Sequence, residues 1–189
     1  MSRVRIDKIV SRAVLLILLI WGCVSFFLFT TLPLIEWTVA ALGVIAFILV
    51  FVGLGELFLL LFINFTNLYA FYGLLFTYNL HPAIVMIGLA IVSGSSFFLL
   101  GRKMVEQKNN FYSILIFFLL SVLELYLALS FWLVNPLSRS LIVMIFIYLF
   151  VGFLTSIKGE IFSRKNFRVY LLTAIVIFSI LIFTISWGR

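Results

Sequence analysis

One carboxylate set deep in an apolar run is the residue of this chain best suited to chemistry. Glu124 stands in SVLELYLALSFW, with no Lys or Arg nearer than Lys108 and Arg139. A carboxylate at membrane depth costs about 2.5–3.5 kcal/mol on insertion scales, so such a residue is expected to face a bundle interior, protonated or hydrogen-bonded. Its chemistry would be a proton- or cation-linked site, a polar anchor for a ligand, or a hydrogen bond that only packs two helices. Possible partners lie in the segment around 57–77, where Asn64, Thr66, Asn67, Tyr69 and Tyr72 form the most polar stretch of the apolar chain. Asn64 and Asn67 are three apart and share a helix face. Counted along helices, Asn67 and Glu124 differ in depth by under roughly 10 Å, which permits contact.

Other chemistries are closed by inventory. His81 is the sole histidine and Cys23 the sole cysteine, so neither a thiolate or His-rich metal site, an intrachain disulfide nor a doubly ligated haem can be built, and no cofactor is expected. Val92-Ser93-Gly94-Ser95-Ser96 resembles the glycine–serine motif of rhomboid proteases over four residues. That resemblance implies a serine nucleophile with a histidine base. His81, however, precedes Ser93 by twelve residues, roughly 18 Å along one helix, whereas such a pair must approach to about 3 Å. Ala90 and Gly94 read better as a small-residue packing pair. The five lysines all lie at segment edges, and Asp7 is the only aspartate. Retinal Schiff-base chemistry and aspartate-dyad catalysis are thereby excluded.

The elements that must position these residues follow from composition. Of 189 residues 66% are hydrophobic and 10% charged, with a mean hydropathy of +1.35. A soluble domain is about half apolar and a quarter charged. The expected class is an all-α, polytopic transmembrane bundle forming one integral membrane domain over 1–189. A span needs about 20 apolar residues, and seven segments qualify: 13–32, 36–54, 57–77, 82–100, 111–133, 140–157 and 168–187. Runs such as Leu15–Ile20 are apolar on every side, unlike the alternating strands of a barrel. The first run lacks a cleavage pattern and reads as an uncleaved span.

Charge sets the orientation. The net charge is +7, and eleven of thirteen basic residues fall in three clusters: Arg3–Arg12, Arg102–Lys108 and Lys158–Arg168. Basic residues at membrane edges mark cytoplasmic loops rather than nucleic-acid contacts. With all three clusters inside, an even number of spans separates each pair. Four spans fit between Arg12 and Arg102 if the chain breaks at Gly53-Leu54-Gly55-Glu56. Two fit between Lys108 and Lys158, turning at Asn135-Pro136-Leu137-Ser138-Arg139. The result is seven spans, N-terminus in and C-terminus out. Six spans result if part of 54–77 is re-entrant. Trp37, Trp132 and Trp187 then fall at outer ends with Tyr78, as interfacial aromatics should. Pro33, Pro82 and Pro136 also mark outer turns, and Glu36 and Glu56 sit at helix ends.

The expectation is an integral protein of the plasma (cell) membrane whose first partner is the bilayer. It would bind or carry a small or lipidic solute through a polar core of Glu124, Asn64 and Asn67. The alternative is a non-catalytic accessory or assembly subunit with a membrane protein partner. The topology is open to direct test. With Cys23 replaced by serine, single cysteines at positions 108 and 158 should react with impermeant maleimide only after the cytoplasmic side is exposed. Labelling of either in intact cells would overturn the parity.

Overall fold

The structure, a computed structural model, describes residues 2–104, 110–132, 134–158 and 161–184. Seven helices among them are long and apolar enough to cross a membrane. They are α1 (Ser2–Phe29), α2 (Pro33–Val52), α3 (Glu56–Thr77), α4 (Pro82–Met104), α5 (Phe111–Ser130), α6 (Pro136–Ser156) and α7 (Arg164–Thr184). The protein is a multi-pass helical membrane bundle, and the stretch 54–77 supplies a full helix rather than a re-entrant piece. A two-residue antiparallel pairing, Ile157–Lys158 with Ile161–Phe162, joins α6 to α7. Lys108, Leu133 and the last predicted turns with Trp187 lie outside the described residues.

The helices begin and end for local reasons. Pro33, Pro82 and Pro136 each stand at a helix start, where the missing N–H would have had no partner. Asn135 caps α6 by accepting from the Ser138 N–H at 2.8 Å, and exposed His81 caps α4 by accepting from Ala83 N–H at 3.3 Å. Between α2 and α3 the chain turns on Gly53 and Gly55, at φ of 78° and 73°. Gly53 N–H closes α2 on the Leu49 carbonyl at 2.8 Å. The α4 helix widens into a π turn over Phe97–Gly101 before its last residues.

The two ends of the bundle differ in chemistry. Lys8, Arg12, Glu56 and Lys103 line one cavity of about 430 Å³ with the Gly53 turn, so the first two basic clusters meet at the same end. Lys103 and Glu56 pair there at 3.4 Å, an exposed contact of small energetic weight. The opposite end carries the three proline turns, with Trp37 and Tyr78 exposed. This arrangement matches the spacing argument for four spans between Arg12 and Arg102.

The bundle is layered around α3. This helix has the lowest hydropathy of the seven spans and the largest buried share, 67%. It packs on α1, α4 and α6, and less extensively on α2. By contrast α7 is 11% buried and rests on α6. Its inner residues Ala174 and Leu181 join Val134 and Ile145 in a small cluster of their own. Between α4 and α5 the seam is aromatic: Phe97 stacks on Phe118 with centroids 4.2 Å apart. Gly94 turns toward Leu119 of α5, in keeping with the packing role expected for the Ala90/Gly94 pair.

The left-handed turn makes a quantitative expectation possible. A Cβ on Gly53 would find its nearest neighbour, Arg12 Nη2, at 3.7 Å, so space is not the obstacle. Gly53→Ala should destabilise the fold by about 1–2 kcal/mol through backbone conformation alone. Gly53→Asn should lose less, since asparagine tolerates this region. Unfolding titrations in mixed micelles would measure both, and an Ala variant as stable as the parent would refute the assignment.

Candidate functional site

The asparagine pair sits where the sequence put it, inside the bundle and on one face of α3. Both side chains are fully buried. Asn67 donates through Nδ2 to Leu18 O of α1 at 3.1 Å and to Ile63 O at 2.8 Å. Asn64 donates to Leu60 O at 2.8 Å and to Ser96 Oγ of α4 at 2.9 Å. Ser96 in turn donates to Ser93 O at 3.0 Å. The pair therefore ties α3 to helices on two sides. The amide oxygens of both asparagines and the Ser93 hydroxyl are buried without hydrogen-bond partners. Around Asn67 the packing is tight. A Cβ on Gly22 would lie 2.4 Å from Thr66 Oγ1 and 2.6 Å from Asn67 Nδ2. Only a glycine lets α1 approach this part of α3 so closely.

Glu124 is placed differently from the expectation. It is exposed on the outer side of α5 and joins neither asparagine, whose amides are bonded elsewhere. The physical reason lies in its neighbours. Phe118, Val122 and Tyr126 occupy the inner face of α5, with Tyr126 stacked on Tyr72 at 4.3 Å and Phe118 on Phe97. Glu124 is two residues from both Val122 and Tyr126. At about 100° per residue that turns it to the opposite side of the helix. It lies roughly 9 Å from the end of α5, still at hydrocarbon depth by the rise per residue.

A second correction concerns Arg139, read from sequence as part of an outer turn. It lies in the first turns of α6, which starts four residues earlier than expected, and it is only 7% exposed. Its Cζ sits 4.4 Å from the Phe76 ring centroid and 5.6 Å from that of Tyr72. Nη2 donates to the Trp132 carbonyl. Nε and Nη1 are buried without hydrogen-bond partners, as is the Tyr126 hydroxyl. Tyr72 donates to the Tyr126 carbonyl at 3.2 Å, which also accepts from Ser130 at 2.8 Å. No carboxylate pairs with Arg139 among the described residues. The available sequence signal was proximity: Arg139 stands three residues after Pro136, inside the first turns of any helix that proline begins.

The same inventory bears on metals. Among the described residues no three His, Cys, Asp or Glu side chains converge. Comparison of the chain with protein-family models, curated proteins and solved structures yields no match.

That geometry makes Asn67 a clamp between helices. Intramembrane hydrogen bonds of this type contribute about 0.6 kcal/mol on average and up to about 1.7. Asn67→Leu should destabilise the bundle within that range or slightly beyond, and Gly22→Leu should cost considerably more because α1 must move away. Steric-trap or denaturant unfolding in bicelles would measure both. A Gly22→Leu protein as stable as the parent would show that α1 and α3 do not pack as described.

Proposed function

We propose that the protein is a non-catalytic subunit of a plasma-membrane assembly, docking another transmembrane surface on the outward face of α5. The observation that carries this reading is Glu124, exposed at hydrocarbon depth. A carboxyl group facing lipid finds no hydrogen-bonding solvent there. A neighbouring helix that hydrogen-bonds it would relieve that cost. A solute site built on Glu124, Asn64 and Asn67 draws no support from this arrangement, because the amides clamp helices and the carboxylate points away.

The occupant favoured by the face itself is a second copy of the chain. Tyr112, Ile116, Leu120, Glu124 and Ala128 are all exposed and recur every four residues, forming one stripe along α5. Two copies inserted with the same orientation and related by a twofold axis along the membrane normal bring each residue opposite its counterpart at equal depth. Glu124 then meets Glu124 of the second copy. The two carboxyl groups then hydrogen-bond each other across the interface. Ala128, one turn further along, leaves room for the backbones to approach.

Single-molecule photobleaching in bilayers of graded protein density tests this directly. The parent chain should dimerise, and Glu124→Gln, which keeps a donor and an acceptor, should dimerise similarly. Glu124→Leu should weaken association on the order of tenfold, from the 1–2 kcal/mol of such bonds. Monomers at every density, or association unchanged in Glu124→Leu, would sink the proposal.

A further inference from the structure

Arg139 is a buried cation that no carboxylate pairs among the described residues; two aromatic rings and the Trp132 carbonyl are its neighbours. It lies in the first turns of α6, where the helix macrodipole already presents its positive end. Two of its donor atoms, Nε and Nη1, have no hydrogen-bond partner, and neither does the buried hydroxyl of Tyr126. The guanidinium lies within electrostatic reach of both Tyr72 and Tyr126. Buried charges are normally paired, and an arginine fork matches a carboxylate or phosphate two bonds at a time.

Beside this cage runs an apolar groove of about 390 Å³. Phe76, Leu80, Tyr126, Leu127 and Phe131 form much of its wall. Phe76 and Tyr126 belong to both features. One face of Phe76 covers the guanidinium, and the same side chain, 44% exposed, borders the groove. Tyr126 lines the groove while its ring stacks on Tyr72. The volume falls within the range of small-molecule sites, about 300–1,000 Å³. A cation behind an aromatic wall, next to an apolar trough open at the membrane edge, has the polarity pattern of an acid with a hydrocarbon tail.

We propose that this end of the bundle binds a single-chain acidic amphiphile. Its carboxylate or phosphate head is held by Arg139 and the Tyr126 hydroxyl, and its chain lies in the groove between α3, α4 and α5. The head reaches Nε and Nη1 when the Phe76 ring turns aside. Tyr126 and Glu124 point to opposite sides of α5, while Leu127 and Phe131 bring the groove to the border of the α5 docking face.

Equilibrium binding of labelled dodecanoate and dodecyl phosphate to the full chain in neutral nonionic micelles tests this, with dodecanol as the uncharged control. Both acids should bind the parent at least tenfold more tightly than the alcohol. Arg139→Gln should abolish that preference. Tyr126→Phe, which removes a hydroxyl that has no partner, should leave thermal stability unchanged and weaken the acids roughly fivefold, as one lost hydrogen bond would. Lys103→Ala, at the other end, should leave the preference intact. Equal binding of acid and alcohol to the parent would overturn the proposal. So would an unchanged preference in a folded Arg139→Gln protein or, should that variant fail to insert, in Tyr126→Phe. Competition by inorganic phosphate, or by two-chain phosphatidylglycerol, as strong as that by dodecanoate would overturn the single-chain assignment.

Discussion

The hydrogen bonds from the two buried asparagines of α3 constrain the rest of the bundle. In hydrocarbon an amide cannot turn to water, so Asn64 and Asn67 must find acceptors within the protein. They find them on α4 through Ser96 and on α1 through Leu18 O, as well as on their own helix. The consequence is architectural. The most polar of the seven helices becomes the most buried, and α2, α5 and α7 are left facing lipid to the greatest extent. Helices in a membrane gain little from merely hiding leucine from lipid, so polarity and close fit decide which of them lies at the centre. Gly22 supplies the fit, and the asparagine amides supply the direction.

The two charged residues of greatest interest fall on either side of this centre, each displaced by aromatic packing. The inner face of α5 is occupied by Phe118, Val122 and Tyr126 against α3 and α4, which turns Glu124 outward. At the proline end, Tyr72 and Phe76 close around the Arg139 guanidinium, with Tyr126 stacked on Tyr72. An acid thus stands on the lipid side and a base within the protein. Each is an energetic liability in isolation, and each would be relieved by a partner that the described residues do not supply. For the acid, that is a neighbouring helix with a hydrogen-bonding group. For the base, it is an anion with an apolar tail.

The basic end follows a different logic. Lys8, Arg12 and Lys103 surround an open cavity and remain largely exposed, as expected of cations at a membrane edge. Their convergence with the Gly53 turn is what makes four intervening helices geometrically necessary. The left-handed glycines permit the tight reversal that brings Glu56 within 3.4 Å of Lys103.

Much of the architecture was legible in the residues alone. Apolar run length, three proline turns, the Gly53–Gly55 break and the parity of the basic clusters lead to seven helices with nearly the observed limits, because each depends on chain-local chemistry. The burial of Asn64 and Asn67 was legible for the same reason, since an amide at membrane depth has to be inside. The orientation of Glu124 and the burial of Arg139 were not. Both depend on which face of α5 meets its neighbours and where α6 begins, and a hydropathy pattern that is apolar all round carries no phase to reveal either. Aromatic stacking between helices distant in sequence made those choices. Tertiary packing alone therefore decided that the carboxylate faces outward and the guanidinium lies enclosed.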